Sequence, residues 1–363
     1  MKADLAILGG GQLAQMLGAA AQTLGITCRA LDPSPNACAA ETCEMIAGNF
    51  DDPAAIARLV GGVDALTFEF ENVPTSALLE AEKLGVAVRP NAEALRAASD
   101  RLLEKNLFRS IGMRVPPFVP VSTTSELHDA ADTIGVPFLL KARSGGYDGR
   151  SQAVVRDRAD VERAWSSIGY SACIAESMVS LRGEVSVITC RAMTGETRIY
   201  PLSANEHRDG ILIRSVSPAD VTEELAATAT AWARALLDRI DYVGVLALEL
   251  FVTPDGLLAN EFAPRVHNTG HATIEASQTS QFENHIRAVL GLPLGSTEPL
   301  CHSVMRNFIG NIPRSSRSQT DAGTFVHDYG KIARPGRKLG HITFTGDSPG
   351  SVCALESRFV ASL

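Results

Sequence analysis

The sequence predicts a chain of mixed α/β and α+β architecture, and three observations carry that reading. Over residues 1–90 short apolar runs alternate with stretches of helical periodicity. Glycine-rich turns follow two apolar runs, at Gly9-Gly10-Gly11 and again over 145–149. Further on, apolar runs at 245–252 and 257–262 flank Thr253-Pro254-Asp255-Gly256. The alternation implies parallel strands joined by crossover helices. Pro-Asp-Gly between two apolar runs implies a tight antiparallel hairpin.

Taken in order, Leu5–Leu8 reads as a buried strand, Gln12–Thr23 as a helix and Ile26–Leu31 as a second strand. A helix near Pro53–Val60, the strand Asp64–Phe70, a helix Thr75–Leu84 and the strand Val86–Val88 continue the alternation. The rhythm breaks at Arg89-Pro90-Asn91, after which Ala92–Ile111 reads as helical with an interruption near Ser99-Asp100. Then come helix Ser125–Ile134, strand Phe138–Ala142, the second glycine turn, strand Gln152–Val155 and helix Asp157–Ile168. Glu184–Cys190 alternates apolar and polar positions. Strands near Arg198–Pro201 and Ile211–Ser215 precede a long helix Val221–Asp238 and the hairpin. The polar stretch Arg314–Asp321 reads as an exposed loop. These breaks divide the chain into units 1–95, 96–175 and 176–363.

Composition excludes some functions. Hydrophobic residues make up 45% of the 363 and charged residues 20%, ordinary for a globular enzyme. A net charge of -8 argues against nucleic acid as a partner, because such binding rests on clustered Lys and Arg neutralising phosphates. A local basic pocket still suits a small anion. No apolar run reaches membrane-spanning length and the first is too short for an export signal, so the expected location is the cytoplasm. The seven cysteines are scattered without a Cys-x-x-Cys pair and are expected as reduced thiols.

Five segments carry chemistry. Gly9-Gly10-Gly11-Gln12-Leu13-Ala14 fits the dinucleotide pattern between a strand and a helix, with Asp32 ending the next strand. The same geometry suits any phosphate at a helix N-terminus, so both readings stand. Lys141 ends an apolar strand before Ser144-Gly145-Gly146-Tyr147-Asp148-Gly149, a flap whose N–H groups can close over polyphosphate beside the lysine's point charge. Glu249 and Glu261 lie in apolar strands across the Pro-Asp-Gly turn, where two carboxylates repel unless a cation lies between them. Mg²⁺ (or Mn²⁺) bound with substrate phosphates answers that, with Asn260 as a further oxygen. Arg265 and His267 follow at once, and a guanidinium fork matches a small planar anion. His271 reads as structural. His327–Lys331 and Arg334–Lys338 form a basic cluster sized for one phosphate ester.

Together these segments resemble the N5-carboxyaminoimidazole ribonucleotide synthetases, a family of ATP-grasp enzymes, over nearly the whole chain. The matching pieces are Gly9–Leu13, Phe68-Glu69-Phe70-Glu71-Asn72-Val73, Lys141 with Gly146–Gly149, Glu176–Val179 and Glu184. Asn260-Glu261, Arg265, His267-Asn268, Tyr329–Lys331 and Arg334–Lys338 with Gly340-His341 complete the set. The resemblance implies a Rossmann-like N-terminal substrate domain, an ATP-grasp lid, and a large ATP-grasp domain ending in a small β-rich segment. It implies ATP phosphates under Gly146–Gln152 (Gly146, Tyr147, Asp148, Gly149, Arg150, Ser151, Gln152), contacted by Arg101 and Lys141. It implies adenine at Glu176, Ser177, Met178 and Val179, with Glu184 on the ribose and His207 nearby. Glu249 and Glu261 would hold Mg²⁺, with Asn260 beside the nucleotide. Arg265, His267 and Asn268 would face bicarbonate and the carboxyphosphate made from it. Gln12, Leu13, Glu71, Tyr147, Asp148, Arg150, Lys331, Arg337 and Lys338 would surround 5-aminoimidazole ribonucleotide, Tyr147 and Lys331 also serving the chemistry. The implied activity is ATP- and bicarbonate-dependent carboxylation of that ribonucleotide, by a homodimer.

The chain departs from the family pattern at Ala14-Gln15 (Gly-Arg in the family), Arg150-Ser151 (Lys-Gly) and Val266 (Pro). No carboxylate, ATP lysine or bicarbonate-facing residue is lost. Two other classes stay open on the residues. A nicotinamide-dependent dehydrogenase would use Gly9–Ala14 and Asp32 but leaves Glu249 and Glu261 without a role. A nucleotide-binding regulator would keep the flap and need no bicarbonate loop.

Overall fold

The computed structural model describes residues 4–145, 151–313, 316 and 321–363. The expected loop Arg314–Asp321 lies largely outside these. The first sheet holds β1 (Leu5–Leu8), β2 (Cys28–Asp32), β3 (Glu44–Ala47), β4 (Ala65–Phe68) and β5 (Ala87–Val88), in the order β3-β2-β1-β4-β5. Every pairing is parallel, as the alternation requires. Both faces of β1 are covered, which is why it reads as one apolar run. Leu5 and Ile7 pack with Leu13 and Leu17, and Ala6 and Leu8 pack with Ile56, Leu59 and Leu78 on the other side. Strand order reverses beside β1, so Gly9–Gly11 sits at the crevice where open α/β sheets bind ligands. Strand β3 had no signal in the sequence; it is a half-exposed edge of only four residues.

The second sheet has the order β6-β9-β7-β8, all antiparallel, from β6 (Phe118–Val121), β7 (Phe138–Ala142), β8 (Gln152–Val155) and β9 (Cys173–Ser177). The helix expected over 157–168 is split. Asp157 accepts from the Ala159 N–H and opens a 3-10 turn, Arg158–Asp160, before the helix Val161–Ser167.

The third sheet gathers β10 (Gly183–Arg191), β11 (Thr197–Ile199), β12 (Ser203–Arg208), β13 (Ile211–Ser217), β14 (Gly244–Thr253) and β15 (Gly256–Ala263). It also takes in β16 (His302–Ile309), β17 (Thr324–Asp328) and β18 (Lys338–Gly346), in the order β15-β14-β10-β12-β13-β16-β18-β17 with β11 on β10. The hairpin forms as expected. The C-terminal β-rich segment is not a separate layer, because β13 pairs with β16 and extends the same sheet. That continuity brings Lys338, at the start of β18, to the cleft that also receives β14 and β15.

Glu356, in the last helix Pro349–Ala361, clamps this extension. It accepts from Arg214 Nε at 2.6 Å and Nη2 at 2.8 Å, and from Arg306 Nη1 at 2.7 Å. Burial would push its carboxyl up, but the two guanidinium groups outweigh burial and hold it down. Replacement by Gln should cost about 2 kcal/mol, less than for a fully buried ion pair, because both arginines keep 24% and 27% of their surface in water. A depressed carboxyl contributes its full stability above the unfolded-state value and loses it as pH falls through the folded value. The gap between wild type and Glu356→Gln in urea should therefore close in acid; a gap constant with pH would refute the clamp.

Candidate active site

Strands β14 and β15 place Glu249 directly opposite Glu261. The register then jumps to Leu250 opposite Ala259, leaving Asn260 as the extra residue of a β-bulge. Strict alternation would send Asn260 and Glu261 to opposite faces. The bulge turns both into one cleft of about 970 Å³.

Each carboxylate already has a nitrogen partner from the protein. Arg101 Nη1 lies 3.0 Å from Glu261, and His267 Nε2 lies 3.0 Å from Glu249. Burial pushes Glu261 up, but Arg101 first, then Lys141 and His267, hold it at about 2. The Glu261 side chain keeps 41% of its surface accessible from the cleft, so it can take a metal ion without leaving Arg101. Among the described residues no three His, Cys, Asp or Glu side chains converge as a metal site. Phosphate oxygens would complete the shell, as they commonly do for Mg²⁺, and the pair fits that role.

Arg101 opens the helix Arg101–Ser110, whose first N–H groups are capped by Asp100. Arg143 holds that cap through Nε at 3.0 Å. Lys141 on β7 stands opposite Gln152 on β8, so the flap is the connection of these two strands. Gly146, Tyr147, Asp148, Gly149 and Arg150 lie outside the described residues. Ser151 has a left-handed φ of 58°, and its carbonyl accepts from the Ala142 N–H at 2.9 Å. Glu184 and His207 face the cleft 2.9 Å apart. Burial pushes His207 down, but Glu184 and then Glu249 and Glu261 prevail and raise it.

The expected adenine segment, Glu176–Val179, starts on β9. Glu176 is buried, its carboxylate held by Lys105 and Lys141. The described residues that line the cleft include Arg101, Lys141, Gln152, Glu184, His207, Asn260 and Glu261, but not Ser151, Glu176, Ser177, Met178 or Val179.

The loop after β15 is braced from below. Gln281 accepts from the His267 N–H at 2.9 Å and donates to its carbonyl at 2.6 Å. His267 Nδ1 meets Thr269 Oγ1 at 3.0 Å, which fixes the ring and aims Nε2 at Glu249. Arg265 turns Nε and Nη2 onto Glu71 at 2.6 Å and donates Nη1 to the Val266 carbonyl at 3.1 Å. The fork expected to meet bicarbonate thus rests on a residue expected to meet the ribonucleotide. Asn268 lines the cleft, and both amide atoms are buried without a partner. His271 is fully inside, packed on His341 and Phe282, which fits the structural reading.

The glycine turn changes one reading. Gly11 and Ala14 N–H groups donate to Glu69, and Gly10 donates to Asp32 at 3.0 Å. Asp32, the ribose acid of the dinucleotide reading, is spent on the turn itself, and Glu69 fills the helix N-terminus. Gln12 and Leu13 remain on the cleft wall. Across from them stand Lys331, bonded through Nζ to Gln12 although 319 residues away, with Arg337 and Lys338. Glu71 completes this end.

Sequence reasoning gave no role to Glu69, Glu104, Lys105 or Arg143. Glu104 accepts from the Phe262 N–H at 2.7 Å, and burial followed by the Glu261 charge pushes it up to about 8. The only available signal was a pair of charges, Glu104-Lys105, on the apolar side of an amphipathic helix.

A sheet-borne carboxylate pair, a lysine at the end of its strand and the loop Arg265–Asn268, all reaching one cleft, fit an ATP-grasp enzyme. Family models agree: an ATP-grasp domain matches residues 106–282, a ribonucleotide synthetase preATP-grasp domain 1–99, and a phosphoribosylaminoimidazole carboxylase C-terminal domain 303–354. The chain is 47% identical to the N5-carboxyaminoimidazole ribonucleotide synthase of Pseudomonas aeruginosa, covering 93% of each. The crystal structure of the Thermus thermophilus synthetase matches with a TM-score of 0.93 at 45% identity, over 98% of this chain and 97% of that one. The Aspergillus clavatus synthase, solved in complex with ADP and 5-aminoimidazole ribonucleotide, matches with a TM-score of 0.91 at 29% identity, over 99% and 98%. The chain belongs to the N5-carboxyaminoimidazole ribonucleotide synthase family.

Proposed function

We propose that this cleft carboxylates the exocyclic amine of 5-aminoimidazole ribonucleotide, consuming ATP and bicarbonate and giving N5-carboxyaminoimidazole ribonucleotide, ADP and phosphate. Asn268 carries the reading. Its amide offers a buried donor and a buried acceptor, both without partners, in the cleft that Glu249, Glu261 and the basic residues Lys331, Arg337 and Lys338 also line. Bicarbonate both donates and accepts hydrogen bonds, and it must sit between the γ-phosphate and the amine.

The supporting assignments follow the cleft. Lys141, Arg101 and Gln152 face the phosphates, and Glu184 with His207 the nucleotide's sugar. Glu249 and Glu261 hold Mg²⁺, which when bound neutralises phosphate charge as it develops. Arg265, His267 and Asn268 hold bicarbonate. Gln12, Leu13, Glu71, Lys331, Arg337 and Lys338 hold the ribonucleotide. A bicarbonate oxygen attacks the γ-phosphorus and ADP leaves, giving carboxyphosphate. The amine then takes the carboxyl carbon, directly or as CO₂, phosphate leaves, and the nitrogen gives up a proton. Water destroys the anhydride, so enclosure matters. The working form we propose is a homodimer in the cytoplasm; no helix among the described residues is long and apolar enough to cross a membrane.

Isotope transfer tests the chemistry. With ¹⁸O-bicarbonate and short reaction times, phosphate from the first turnovers should carry one bicarbonate oxygen, because the bridging oxygen leaves with phosphorus. Phosphate labelled only from water would end the carboxyphosphate reading even if the product is correct.

A further inference from the structure

Lys105 is wholly buried in the helix Arg101–Ser110, and its ammonium group meets three protein oxygens. Nζ lies 2.8 Å from Glu176 Oε2, 2.8 Å from the Asn260 carbonyl and 3.4 Å from the Ala259 carbonyl. Two of its three donors go to carbonyls, the carboxylate stands against the third side, and Lys105 does not line the cleft, so it is not placed to meet a nucleotide. Lys141 differs. It is tied to Glu176 through the other carboxylate oxygen, yet it lines the cleft. One carboxylate, 1% exposed, therefore serves two lysines.

The arrangement has a consequence for nucleotide binding. To reach phosphates Lys141 must loosen its hold on Glu176. A buried carboxylate left without a cation is costly, and Glu176 would draw Lys141 back. With Lys105 fixed on the opposite oxygen, Glu176 stays neutralised whichever way Lys141 points. The two carbonyls that fix Lys105 belong to the residues just before Glu261, so the same contact ties this exchange to the metal-binding strand.

We propose that Lys105 is a positioning residue that holds Glu176 and so releases Lys141 to the phosphates of the bound nucleotide. This rests on the assignment of Lys141 to those phosphates. The test is a double-mutant cycle on the full chain, read by calorimetric dissociation constants for ADP with Mg²⁺ and by the separation of the KM for ATP from kcat. Lys105→Met should leave Lys141 captive on Glu176 and weaken ADP by about tenfold or more, the loss of one charge-assisted contact. Adding Glu176→Gln removes the captor, and the double variant should return to within about threefold of wild type. A residue that only supports the fold would not be rescued by a second core substitution. A double variant as weak as Lys105→Met, or weaker, overturns the proposal. Should Lys105→Met not fold, the double variant, which leaves neither residue 105 nor 176 charged, is compared directly with wild type. Near-normal ADP binding supports the proposal and a loss equal to that of Lys141→Met overturns it. If Lys141→Met itself binds ADP normally, the phosphate assignment of Lys141 fails, a result distinct from failure of the exchange.

Discussion

Glu261→Gln should lower turnover by at least about a hundredfold while the protein stays folded. The side-chain volume is kept and the bulge at Asn260 is untouched, so the cleft retains its shape. What disappears is the charge opposite Glu249 that would hold Mg²⁺ against the phosphates. Arg101 Nη1 loses its 3.0 Å ionic partner at the same time and becomes free to grip a phosphate in the ground state. The KM for ATP should therefore change much less than kcat. Steady-state rates across a Mg²⁺ titration decide the matter. Near-normal turnover at low Mg²⁺ would remove Glu261 from the metal site.

Arg265→Lys should lower turnover by about a hundredfold with little change in the KM for ATP. The guanidinium spans Glu71 and the Val266 carbonyl at once, a planar fork that one ammonium group cannot reproduce. Charge is preserved in this variant, so the loss would report geometry alone. Bicarbonate-dependent ADP release measures it. If the lysine variant keeps wild-type rates, Arg265 serves only to pin Glu71, and the bicarbonate loop shrinks to His267 and Asn268.

Much of the site was legible because its chemistry is local. Glu249 and Glu261 lie on two strands joined by a Pro-Asp-Gly turn, so one hairpin fixes their pairing. Arg265, His267 and Asn268 follow on the same connection, and Lys141 lies at the end of the strand that opens the flap. The partners of the Glu176 carboxylate were not legible: it turns inward to two lysines, one of them on a helix 71 residues earlier in the chain.

The sequence by itself determined the parallel N-terminal sheet, the antiparallel hairpin, the glycine turn after β1 and the kinds of side chain in the cleft. Periodicity and turn chemistry act over a few residues, and those features need nothing more. The tertiary structure alone decided three things. It joined Gln12 to Lys331 across the cleft, a contact no local pattern encodes. It showed Glu69 and Asp32 filling the glycine turn, which settles the turn as self-capped rather than waiting for a dinucleotide. It also brought Lys105, Glu176 and Lys141 together from a helix and two strands. Buried charges tolerate low dielectric only with partners, and those partners come from whichever elements the packed core happens to bring close.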